Sequence, residues 1–342
     1  MKIFLVLILH LTICANVNAQ NWNLVWADSF NNSIKLQNWK FEIGDGGWGN
    51  NELQYYTNRA DNALVSNGNL LIIAKKENYQ GSNYTSARMV SKDLQTWTYG
   101  KIEARIKLQQ TQGVWPAFWM LGNNINQVSW PTCGELDILE HINTENKIYG
   151  TMHWNNNGHV QAGNSAFCNA TQYHLYGIEW SADSIKWLLD NNVYYKNTIK
   201  NSINNTSAFH LPFFIILNMA VGGNWPGSPA TNSVFPDTMF VDYIHVFQNF
   251  PTAVSAIQNS KLFNFYPNPT EKTVKINLET LQENSFMEIC IYNVYGTIVK
   301  KYTSTKNMNN ELELSLFDFP KGIYFLTLKS NQQQWTNKLI LQ

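Results

Sequence analysis

Between residues 21 and 248 the apolar side chains come in short alternating runs broken by Gly, Asn and Pro. The stretch from Lys101 to Leu108 alternates apolar and polar residues, and so does the stretch from Phe240 to Phe247. A period of two puts successive side chains on opposite faces of a strand, so each run buries one face and wets the other. Residues 212–221 are nearly all apolar and read as a strand buried on both faces. No long run repeats at the helical period, and no unit recurs at 20–50 residues. A chain punctuated in this way is confined to an all-β sandwich or barrel.

The composition changes after residue 248. Of 13 Trp, 12 lie at or before Trp225, and only Trp335 follows. Residues 249–260 read as a linker, and residues 261–342 carry strands of their own at 273–278, 287–294, 311–316, 322–329 and 337–341. Turn signals at Tyr295-Gly296-Thr297 and Pro320-Lys321-Gly322 separate them. This predicts a second, small β-sandwich without a cluster of candidate catalytic residues.

Residues 1–19 read as a secretory signal peptide: Lys2, an apolar run from Ile3 to Ile13, and a small-residue end at Ala19. The apolar run is too short to span a bilayer. A lipoprotein site would use Cys14, but Ile13 stands where such sites prefer a small residue. Removal of the leader leaves Cys133, Cys168 and Cys290, an odd number. The first two are able to pair in an oxidising compartment or to stay as buried thiols. With 24 basic and 24 acidic residues the formal charge is zero, so there is no electrostatic argument for nucleic acid or an anionic membrane as partner. Charged and aromatic residues each make up 14% of the chain, a balance suited to neutral polar ligands that stack on rings, as sugars do.

Three carboxylates fall within six residues at Glu135, Asp137 and Glu140, interleaved with Leu136, Ile138 and Leu139. On a regular strand Glu135 and Asp137 share a face and Leu139 joins them. One extra residue at Ile138-Leu139, a β-bulge, returns Glu140 to the acidic side. Two carboxyl groups held about 5–5.5 Å apart are what glycoside hydrolysis with retention of configuration requires. A third carboxyl sharing a proton would separate their pKa values. The residues alone also allow a solvent-facing acidic strand or an amphipathic helix. Trp115 and Trp119 lie four apart, on one face if extended, and are sugar-platform or core residues. Zinc-ligand spacings, a P-loop and a Gly-x-Ser-x-Gly elbow are all missing from the sequence.

The stretch from Trp130 to His141, with its Glu-x-Asp-x-x-Glu centre, resembles glycoside hydrolase family 16, and the likeness extends over nearly all of residues 21–248. Two residues between Asp137 and Glu140 is the bulged form of the laminarinase-like endo-β-1,3-glucanases. The resemblance implies a jelly-roll sandwich over residues 20–248, with Glu135 as nucleophile, Asp137 as tuning partner and Glu140 as acid/base. It implies substrate contacts from Asn50 and Trp225 at the glycone, non-reducing side, Arg88 in the cleft floor, Trp115 and Trp119 beside the acids, and His153 on the adjacent strand. His141 is expected to face away. A structural calcium ion is implied at Asp242 with a backbone carbonyl near Gly68, though Ser29 stands where the family often has glutamate; no organic cofactor is required. Tyr266-Pro267-Asn268-Pro269 and Gly322-Ile323-Tyr324 resemble the type A sorting domain of the type IX secretion system, whose partner is outer-membrane export machinery; a carbohydrate-binding module is the other reading of that region. The expectation is a monomeric enzyme, secreted or attached to the cell surface, acting inside β-1,3-glucan chains. Mixed-linkage glucan or galactan hydrolysis, or glucan binding without catalysis, stay open on the same scaffold.

Overall fold

The computed structural model describes residues 22–249 and, further on, 264–278, 281, 285–293, 298–305, 310–330 and 333–342. The leader at 1–19, nearly all of the linker at 249–260 and the turn at Tyr295-Gly296-Thr297 lie outside the described residues. The chain divides into two compact units, Met1–Phe250 and Pro251–Gln342. Among the described residues no helix is long and apolar enough to cross a membrane.

The first unit is built from two large sheets. One, of seven strands, runs in the order His159–Phe167, Lys147–Asn155, Glu135–Glu140, Val114–Gly122, Phe213–Val221, Arg88–Val90, Lys40–Phe41. The other has ten, with Gly100–Leu108 and Asp237–Gln248 at its centre. Both alternating runs seen in the sequence are strands of this second sheet, and their inward residues Ile102, Ala104, Ile106, Val241, Ile244 and Val246 are buried in the shared core. The near-continuous apolar run became Phe213–Val221, with all nine residues buried. One face of that strand meets the core and the other lies under the cleft, so both are withdrawn from water, and Asn218 is the one polar side chain among the nine.

The second unit has a three-stranded and a four-stranded sheet around its own core of Val274, Ile276, Ile289, Ile291, Leu326 and Leu339. Two strands escaped the sequence reading. Asn264–Tyr266 is three residues long, and Ile298–Thr305 is exposed along most of its length, so it carries no apolar alternation. Cys133, Cys168 and Cys290 are free thiols.

Candidate active site

Strand Glu135–Glu140 lies between Val114–Gly122 and Lys147–Asn155, in the middle of the seven-stranded sheet. Asp137 stands opposite Trp119 on one side and Thr151 on the other. Both ladders then lose register; one resumes with Leu139 opposite Phe118, and Glu140 then stands opposite Ala117 on that side and Tyr149 on the other. Two successive apolar residues, Ile138 and Leu139, enter the core together. The extra residue restores Glu140 to the cleft face, so the acids line one side of a strand rather than a helix or a wet edge. His141 faces away as expected: it is buried, and its Nε2 lies 2.7 Å from the Glu145 carbonyl.

Each acid has its own partner. Trp130 donates its indole N–H to Glu135 (3.1 Å), and Trp115 donates to Glu140 (3.0 Å). His153 sets Nε2 at 3.1 Å from Asp137 Oδ2 and 3.8 Å from Glu135 Oε1. Its Nδ1 lies 2.9 Å from Nε2 of His159, and the two rings stack. Burial, and then the charge of Asp137, push the Glu135 carboxyl up to about 8, with His153 opposing. Burial first, then Asp137 and Glu135, hold Glu140 well above the usual carboxylate range, and burial does the same to Asp137. Three crowded acids out of water cannot all be ionised near neutral pH. The strand therefore retains protons, as an acid catalyst beside a nucleophile must.

Trp115 and Glu140 border both halves of a long cleft. One half, about 330 Å³, is lined by Trp48, Asn50, Glu52, Arg88, Trp119 and Asn218 among others. Arg88 sits against the faces of Trp48 (5.1 Å) and Trp119 (4.8 Å) and is ion-paired with Glu42. The other half, about 580 Å³, includes Tyr149, Thr151, His153, Gln161 and Trp225. Asn50 and Trp225, expected on the same side, thus line different halves. Trp225 meets Trp115 and Tyr149 edge-on at 5.4 and 4.8 Å, which fixes it beyond the acids.

Glu52, Trp130, Tyr149 and His159 were not singled out by the sequence reading. Glu52 accepts hydrogen bonds from Asn50, Gln54 and Tyr56, and burial raises its carboxyl. The chain of donors continues from Trp119 to Asn218 and from Asn218 to Tyr56. The only sequence signal was proximity to Asn50 in the glycine-rich loop.

Asp242 lies on the other sheet, where its carboxylate accepts from Arg105. Val241 pairs with Leu70, so Gly68 falls at the turn just past that pair. A single carboxylate already held by a guanidinium fits a hard dication poorly, since calcium gathers six to eight oxygens. Among the described residues, three ligand-type side chains converge at Glu135, Asp137 and His153, with atoms within 4.8 Å of one another. They are the acid cluster itself.

The profile of the glycosyl hydrolases family 16 matches residues 50–245, and that of the secretion system C-terminal sorting domain matches residues 264–342. The clotting factor G alpha subunit of Tachypleus tridentatus is 44% identical over 74% of this chain, a match that spans only 38% of that subunit. A beta-glucanase of Rhodothermus marinus is 38% identical over 67% of this chain and 86% of its own length. Among solved structures, the catalytic domain of an endo-1,3-beta-glucanase (laminarinase) from Thermotoga petrophila superposes with a TM-score of 0.63 at 39% identity, covering 68% of this chain and 100% of that one.

Proposed function

The chain belongs to glycosyl hydrolases family 16, and from that premise we propose that it is an endo-acting hydrolase of β-1,3-glucan that retains the β configuration. Glu140 protonates the departing glycosidic oxygen while Glu135 attacks the anomeric carbon, giving a covalent glycosyl-enzyme. Glu140, now ionised, takes a proton from water, which attacks the same carbon and releases the sugar from Glu135. Asp137 and His153 distribute proton and charge between the two glutamates. Trp115, Trp119 and Trp225 offer ring faces to sugars, and Arg88, Asn50 and Glu52 offer polar contacts on the side away from Trp225. The single observation that carries this reading is the bulge after Asp137, which brings Glu140 to the face of Glu135 in a cleft rimmed by tryptophan. Export follows from residues 264–342: a sorting domain of this kind delivers the enzyme to the cell surface or the medium, where polysaccharide is met.

The test is reducing-sugar release from laminarin, lichenan, agarose and porphyran by the full chain and by Glu135→Gln. Fastest cleavage of laminarin, lost by several orders of magnitude in the variant, supports both substrate and nucleophile. Cleavage of a galactan with laminarin untouched refutes the substrate class. Binding of laminarin without cleavage refutes the catalytic reading.

A further inference from the structure

The acid strand is backed by a residue on the opposite sheet. Trp187, in strand Ser184–Leu189, has no exposed surface and donates its indole N–H to the backbone carbonyl of Asp137 at 2.8 Å. That carbonyl lies where both flanking ladders lose register, between Asp137 and the residues that follow it. A peptide group at a bulge has fewer strand partners than one in a regular ladder, and a buried one needs a donor from elsewhere. The space for the indole comes from the neighbouring strand. A Cβ on Gly150 would lie 2.3 Å from Trp187 Cδ1 and 2.3 Å from the Tyr194 hydroxyl. Glycine is thus required in the middle of strand Lys147–Asn155 by the close approach of a ring from the other sheet.

We infer that Trp187 is a positioning residue for the acid/base: by holding the Asp137 carbonyl it fixes the bulge, and the bulge fixes where Glu140 points. It touches no substrate. The inference rests on the reading of Glu140 as acid/base given above. Trp115 grips the carboxyl of Glu140 from the cleft, while Trp187 grips the backbone three residues earlier from the core. Without the second grip the strand can relax toward regular alternation, which turns Glu140 away from Glu135.

The decisive variant replaces Trp187 in the full chain by β-(3-benzothienyl)alanine, which exchanges the N–H for sulfur at nearly constant volume. On laminarin, kcat is expected to fall ten- to a hundredfold with KM within twofold, while the unfolding midpoint followed by tryptophan fluorescence stays within a few degrees. Gly150→Ala, which drives the indole off from the other side, is expected to give the same loss confined to kcat and keeps the inference testable if the isostere does not accumulate. An unchanged kcat in the folded isostere, or a fall in kcat matched by an equal rise in KM, overturns it. Failure of the unsubstituted chain to cut laminarin at all refutes the proposed activity instead, and the two failures are therefore distinguishable.

Discussion

Glu135 allows the electrostatics of the cleft to be tested without turnover. Its carboxyl is pushed from an ordinary 4.5 up to about 8 by burial and by Asp137. The folded protein therefore holds this proton more tightly than the unfolded chain does. Below about pH 4.5 both states are protonated and nothing is lost. Between about 4.5 and about 8 the folded state binds more protons than the unfolded one, so stability falls as pH rises; above about 8 the whole penalty is present. About 3.5 pH units at 1.36 kcal/mol each give about 5 kcal/mol. The side chain retains 17% of its surface, so solvent screening brings the expectation to about 2–4 kcal/mol. Glu135→Gln removes the ionisation but keeps an oxygen for the Trp130 N–H. The variant should match the parent at pH 4.5 and exceed it by about 2–4 kcal/mol at pH 8. Guanidinium unfolding at pH 4.5, 6 and 8 measures this, and because 12 of 13 tryptophans precede residue 226, their fluorescence reports the first unit. A stability gap that does not change with pH, or a parent more stable than the variant at pH 8, would show that the surroundings of Glu135 do not penalise its ionised form.

Three further outcomes follow from the contacts. Trp115→Phe removes the hydrogen bond to Glu140, which favours its ionised form; a bond to a charged group is worth about 1.5–3 kcal/mol, so kcat should fall about 10- to 100-fold and its alkaline limb move to higher pH. A pH–rate profile checks both. Arg88→Lys gives up the flat contact with Trp48 and Trp119, and because a lysine cannot stack in this way, KM for long laminarin oligosaccharides should rise about tenfold with kcat nearly unchanged. Because Arg105 already holds Asp242, EDTA should leave the melting temperature within about 1 °C; a calcium site there would add stability through binding, and chelation would lower the midpoint by several degrees.

What the sequence made legible and what it hid differ by a physical rule. Periodicity records which face of a strand is apolar, and that is why the bulge was readable. Glu-x-Asp-x-x-Glu keeps its acids on one face only if two neighbouring apolar residues turn inward together, and Ile138 and Leu139 do so. The same record fails where a residue's role is to meet a polar group across the fold. Trp187 looks like any core tryptophan, and its partner is a backbone carbonyl 50 residues away. His159 and Glu52 directly follow Asn- and Gly-rich turns, where local sequence carries turn geometry rather than burial. The family resemblance put Asn50 and Trp225 on one side; their glycine-rich loops do meet, Asn224 N–H donating to the Asn50 carbonyl, yet their side chains line different halves of the cleft. Backbone proximity and side-chain direction are independent in such loops, so the tertiary arrangement, not composition, decides which sugar a loop residue can touch.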